Sequence, residues 1–315
     1  MEIAGPLRPT WRIRCAALLL ACTVLTAPAL AQDGPASPCL TATEPAAIRQ
    51  TCTGALAELP AGAAETAPLL GRRATALLHL DQDDAAYADA SAALQIDPDQ
   101  VDALATRGML LVARGDYETG LRDLDNALRL KPDSVDLLTA RGEAHLRRGQ
   151  LQLALTDFDA AVERMPDHPA LLHNRANVQR DLGALQPARR DYDRVVALAG
   201  ANARVLTDRC LLRLVSNELR AALQDCNAAI ALAPGEFGLV ENRGLVLLRL
   251  RRTDEAIADF NAVLKAKPDM PWSLFARGVA RTRRGEMAAA LADIRAARAL
   301  RPRVAEEVAA YGIKP

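Results

Sequence analysis

A 34-residue recurrence constrains this chain more than any other feature. Prolines stand at 98, 132, 166, 234, 268 and 302, and Gly200 fills the midpoint of the one double gap. Seven segments therefore share one register over residues 67–302, without insertion or deletion. Such a period implies a supersecondary unit that cannot bury its apolar face alone and stacks on its neighbours.

The columns of the register say what that unit is. Small residues stand 24 places before each anchor: Ala74, Gly108, Gly142, Ala176, Cys210, Gly244 and Gly278. A second small column stands 12 before it: Ala86, Gly120, Ala154, Ala188, Ala222, Ala256 and Ala290. Between them lies a turn position, with Gly115, Gly149, Gly183 and Gly285. Bulkier fillers such as Leu124, Phe158, Tyr192, Phe260 and Ile294 follow, then Ala or Val three places on. Offsets of three and four mark one apolar helix face, and Pro or Gly stops the second helix. Each unit is thus two helices folded back on each other, brought close by facing small residues.

These small, small, bulky, Ala and Pro columns resemble the tetratricopeptide repeat, a 34-residue helix–turn–helix unit. The large aromatic that often opens that repeat is mostly missing, although Trp272 comes near its place. The first unit is also loose, with Ala90 where a bulky residue is usual. The resemblance implies an all-α, right-handed solenoid whose first helices line a groove. It also implies a protein or peptide partner. The expected organisation is a signal peptide over 1–31 and a capping segment with a degenerate half repeat over 32–66. Seven repeats over 67–302 and a C-terminal capping helix over 303–315 complete it.

The first segment is read as secretory. Arg8, Arg12 and Arg14 precede an uncharged apolar run that ends at Ala29-Leu30-Ala31 and turns polar at Gln32. The run is shorter than the roughly 20 residues of a membrane span. The expected location is outside the cytoplasm, in the periplasm or secreted, with no span in the mature chain. Export makes the remaining Cys39, Cys52, Cys210 and Cys226 candidates for disulfides, with three pairings open by number alone. In the repeat register Cys210 takes a small-column place and Cys226 the filler place on the facing helix. The expected pairs are therefore Cys210–Cys226 and the remaining Cys39–Cys52.

Arg stands in one column seven times (73, 107, 141, 175, 209, 243, 277) and Asp in another (89, 123, 157, 191, 225, 259, 293). A catalytic pair has no reason to recur seven times, whereas an architectural clasp does. The pairing, within a unit or between neighbours, stays open at this level.

Chemistry is otherwise thin. The chain balances 39 basic against 39 acidic residues, without the charge footprint of a nucleic-acid binder. His79, His145, His168 and His173 lack companions at metal-ligand spacing, so no metal site is expected. No phosphate-cradling loop, nucleophile elbow or CxxC pair appears, so neither a cofactor nor catalysis is expected.

Function then falls on the columns that vary. His173, Asn174, Asn177 and Arg180 form a polar patch on a first helix. Leu211, Leu245, Leu248, Trp272, Phe275 and Val279 form an apolar stripe on later first helices, with Glu241 inside it. The leucines read equally as core. Trp272 and Phe275 are expected to face a partner, because the turn after Pro268 should leave that end open. The chain thus reads as a scaffold holding a protein segment in its groove. The alternative is a structural subunit of an envelope or polysaccharide-export assembly that makes contact through its outer face.

Overall fold

The computed structural model describes residues 37–60 and 63–314, so the secretory segment with Cys15 and Cys22 lies outside the described residues. Seventeen helices and no strand make up the described residues. None of these helices is long and apolar enough to cross a membrane. The contacts divide the described residues into two compact units, one running up to Met165 and one starting at Pro166.

In the first unit, α1 (Ser37–Thr41) and α2 (Pro45–Glu58) precede three helical hairpins. These are α3 (Thr66–His79) with α4 (Asp83–Ile96), α5 (Val101–Ala113) with α6 (Tyr117–Leu130), and α7 (Val135–Arg147) with α8 (Leu151–Arg164). The second unit holds four hairpins. They are α9 (Pro169–Asp181) with α10 (Leu185–Ala199), α11 (Ala203–Val215) with α12 (Leu219–Leu232), α13 (Phe237–Arg249) with α14 (Thr253–Ala266), and α15 (Pro271–Arg284) with α16 (Met287–Leu300). A six-residue helix, α17 (Val304–Ala309), follows.

Within each unit, first helices pack on the next first helix, and each second helix packs on the first helix that follows it. First helices therefore line the inner side of each stack.

Local chemistry sets the hairpins. The turn between the two helices always needs a left-handed residue. Glycine supplies it at 115, 149, 183 and 285, while Asp81, Asn217 and Arg251 adopt positive φ at the same column. Several first helices are capped by the side chain just before them. Gln100, Ser134, His168 and Asn202 each accept a backbone N–H from the first turn. The small columns let backbones touch: a Cβ on Gly108 would lie 2.9 Å from the Gly120 carbonyl oxygen, and one on Gly120 2.8 Å from that of Gly108. Phe158, Tyr192 and Phe260 are fully buried in the filler column. Where Gly200 replaces proline, α10 runs to Ala199 before Gly200 stops it at φ 75°.

The Arg and Asp columns meet within each hairpin, at N–O distances of 2.6–3.0 Å. Every Arg forks Nε and Nη2 onto the two carboxylate oxygens of the Asp 16 residues later. The third nitrogen reaches the preceding hairpin in several cases. Arg141 Nη1 donates to Asp125 at 2.8 Å, Arg209 Nη1 to Asp193 at 2.9 Å and Arg277 Nη1 to Asn261 at 2.8 Å. The pairing left open by the sequence is therefore within the unit, and the same side chain also clasps the hairpin before through a different acceptor.

Two disulfides close between helices. Cys39 of α1 joins Cys52 of α2 with Cα atoms 4.6 Å apart, and Cys210 of α11 joins Cys226 of α12 at 5.6 Å. The final helix is shorter than the sequence suggests. It ends at Ala309 and the chain turns at Gly312, with φ 73°, so residues 310–314 are not helical.

Candidate functional site

The sequence-selected residues all lie on first helices of the 166–315 unit, and the structure sorts them into two groups. His173, Asn177 and Arg180 of α9 join a polar network. His173 Nε2 lies 2.8 Å from Asp208 Oδ2 on α11. Arg180 Nη1 donates to Asp208 Oδ1 at 3.2 Å and to the Tyr192 hydroxyl at 3.3 Å, and its Nε donates to Asp181 at 3.1 Å. The Tyr192 hydroxyl donates to Asn177 Oδ1 at 2.6 Å. Asn174 is half-buried beside them and is engaged as well.

Two groups of this network are held in one ionic state. Burial opposes the Asp208 charge, but the His173 hydrogen bond and the Arg180 charge outweigh it and hold the carboxyl below its ordinary value. Burial pushes the Tyr192 phenol well up, so it stays neutral and able to donate. The patch is therefore not an open row of free polar groups, as its sequence suggested. His173 is only 6% exposed and its partners are internal.

The apolar group also departs from expectation. Leu211, Leu245, Leu248 and Val279 are core residues. Trp272 and Phe275, expected on a partner-facing surface, are 2% and 0% exposed. The physical reason is the segment after α16. Val304, Val308, Tyr311 and Ile313 are buried in the same apolar cluster as these residues. Trp272 donates Nε1–H to Glu307 at 2.9 Å, and its ring meets Tyr311 edge-on at 5.3 Å. Glu241 is buried too and accepts a 2.6 Å hydrogen bond from the Ser273 hydroxyl. Burial holds its carboxyl above the ordinary value, with Ser273 only partly opposing.

Three participants were missed in the sequence reading. Arg249, the last residue of α13, donates Nη1 to the Tyr311 carbonyl at 2.5 Å and Nη2 to Asn217 at 2.8 Å. Tyr192 was taken as filler alone, although its hydroxyl links Asn177 and Arg180. Tyr311 carried one signal: it stands where the 34-residue register places Arg in all seven units.

A family model described as "Tetratricopeptide repeat" matches residues 106–169 and 241–305. Among solved structures, a tetratricopeptide repeat protein from Parabacteroides merdae is similar at 17% identity and TM-score 0.63, covering 79% of this chain and 99% of that one. The Cut9–Hcn1 hetero-tetramer of the APC/C is similar at 13% identity and TM-score 0.62, over 88% of this chain and 54% of that one. Pseudomonas aeruginosa pilF is similar at 14% identity and TM-score 0.58, over 70% of this chain and 98% of that one. At these identities the likeness is one of fold. No curated protein matches the sequence.

Proposed function

We propose that this chain, whose residues 106–169 and 241–305 match the tetratricopeptide repeat, is a non-catalytic interaction scaffold of that kind working outside the cytoplasm. Its binding surface is the first-helix face of residues 166–315, and its partner is a protein segment. One observation carries this reading: that face already holds a polypeptide. Residues 311–313 lie on it through a buried aromatic ring, a buried isoleucine and a backbone carbonyl taken by Arg249. A face that recognises main chain and two side chains in this way has the chemistry of a peptide groove. We take this face to include the polar residues of α9 and Trp272, which meets Glu307 and Tyr311 of the segment. Export is supported by the arginine-led apolar start and by two disulfides, which persist in oxidising compartments. The periplasm is the compartment that fits both.

A second reading has its own observation. Leu198, Leu232 and Leu300 are 44%, 55% and 52% exposed, each at the last turn of a second helix. They give the outer side an apolar row, as a fixed structural subunit needs. Site-specific photo-crosslinking in cells separates the two. A crosslinker replaces Arg204, exposed at the start of α11 beside the Asp208 network, or Leu232 on α12. Capture of one protein from position 204 supports the inner face. Capture from position 232 alone transfers the function to the outer one and overturns our reading.

A further inference from the structure

The segment after α16 keeps the register of the stack but not its helix. Val304–Ala309 begins another first helix in the 34-residue register and packs on α15. It then stops, and the chain turns inward. Gly312 takes a left-handed conformation, and the Arg249 guanidinium lies where its Cβ would project. The segment touches several hairpins of this unit in turn. Glu307 is held by Trp272 of α15 and by Arg301 at 2.8 Å. The Tyr311 carbonyl is held by Arg249 of α13. The Tyr311 ring is 5% exposed and lies within the electrostatic reach of Arg180 and Asp181 of α9 and Asp208 of α11. Ile313 is fully buried.

The anchoring is that of a bound peptide rather than of a core helix. The contacts beyond Ala309 are two buried side chains and one carbonyl, in a short non-helical stretch. The register accounts for Gly312 and Ile313, which keep the columns of Gly278 and Val279, but offers no reason for a buried tyrosine in the Arg column. The face beneath, with the Trp272 edge, the Arg249 donor and the leucines of α11 and α13, does offer one.

We propose that residues 304–314 are an intramolecular ligand that closes this face, and that a partner opens it by displacing them. The displacing segment is of matching chemistry. It is extended, with an aromatic residue followed two places later by a branched apolar one, and it offers its carbonyl to Arg249. This deepens the reading of the face as a peptide groove and rests on it.

The test uses a fluorescently labelled peptide of residues 303–314 and needs no partner. Its anisotropy is followed against the full chain, the chain lacking 304–315, and the full chain carrying Tyr311→Ala and Ile313→Ser. The expected result is binding to both altered chains at least tenfold tighter than to the full chain, lost when the peptide itself carries Tyr311→Ala. Equal binding to all three chains overturns the proposal, as does no binding to altered chains that keep their helical signal and cooperative melt. Loss of that melt in both altered chains overturns it too, because the segment is then part of the fold. Tight peptide binding with no protein captured from position 204 leaves the closure standing and removes the partner reading.

Discussion

Replacing one arginine of the clasp at a time separates two accounts of what these side chains contribute. Asp259 and Asp293 are matched, with 9% and 8% of each side chain exposed. Asp259 takes its two charge-assisted bonds from Arg243, at 2.8 and 2.6 Å. Asp293 takes two from Arg277, both at 2.8 Å, and a third at 2.7 Å from Arg281. Arg243→Ala therefore strands a nearly buried carboxylate, whereas Arg277→Ala leaves one still paired. Breaking a fully buried pair costs about 3–5 kcal/mol. The Arg243 side chain is 31% exposed, so water reaches the vacated place and the expected cost falls to about 2 kcal/mol. For Arg277→Ala about 1 kcal/mol is expected, since the retained Arg281 bond keeps Asp293 satisfied. For a unit of this size these costs correspond to midpoint shifts of roughly 4–8 °C and 2–4 °C. Thermal melts read from Trp272 fluorescence in a Trp11→Phe background report on the 166–315 unit. Burial alone predicts the opposite order, because the Arg277 side chain is only 16% exposed. An Arg277→Ala loss equal to or greater than that of Arg243→Ala refutes the argument from carboxylate satisfaction.

Other substitutions test the packing and the turns. Gly244→Ala would place a Cβ 2.7 Å from the buried Phe260 ring, so a strain of about 1–3 kcal/mol exceeds the helix gain of about 1 kcal/mol and the midpoint falls. Gly54→Ala meets nothing within 4 Å, and the same helix gain of about 1 kcal/mol should appear there as a higher urea midpoint. Arg251, at φ 63° in the turn column that glycine usually fills, gives a gain of roughly 0.5–1 kcal/mol as Arg251→Gly, read in the same denaturation. Glu241 holds its proton more tightly folded than unfolded. Its contribution is full below the ordinary value of 4.5 and is lost as pH rises through the folded value. Glu241→Gln, which keeps an oxygen for Ser273, should therefore raise the melting midpoint over the native chain by more at pH 8 than at pH 4. A difference that shrinks with pH contradicts that sign.

Much of this was legible because a 34-residue period overdetermines each hairpin. Small residues at 108 and 120 announce a close crossing, and glycine at 115 or 149 announces the turn. Arg and Asp 16 residues apart in every unit announce the clasp. Its second arm was obscured because the receiving column changes identity: Asp125, Asp193, Asn227 and Asn261 share one register place, where Asp gives way to Asn although each offers an oxygen. The burial of Trp272 and Phe275 was not legible at all. Periodicity reports how a unit meets its neighbours, and the half unit over these rings keeps it only in part: Gly312 and Ile313 follow Gly278 and Val279, whereas Tyr311 replaces the column arginine. Glu306, Glu307 and the alanines around them suggest a helix reaching Gly312. What ends it at Ala309 is the pull of Tyr311 and Ile313 into the inner face, a tertiary effect that local propensity does not contain.

The central claim, that residues 304–314 cover the first-helix face of their unit, is tested most directly by hydrogen exchange on the intact chain beside Ile313→Asp. We expect faster exchange in residues 308–313 and in the last turns of α11 and α13, around Leu214 and Arg249, with α12 and α14 unchanged. Acceleration confined to residues 308–314, or spread evenly through the unit, contradicts the claim.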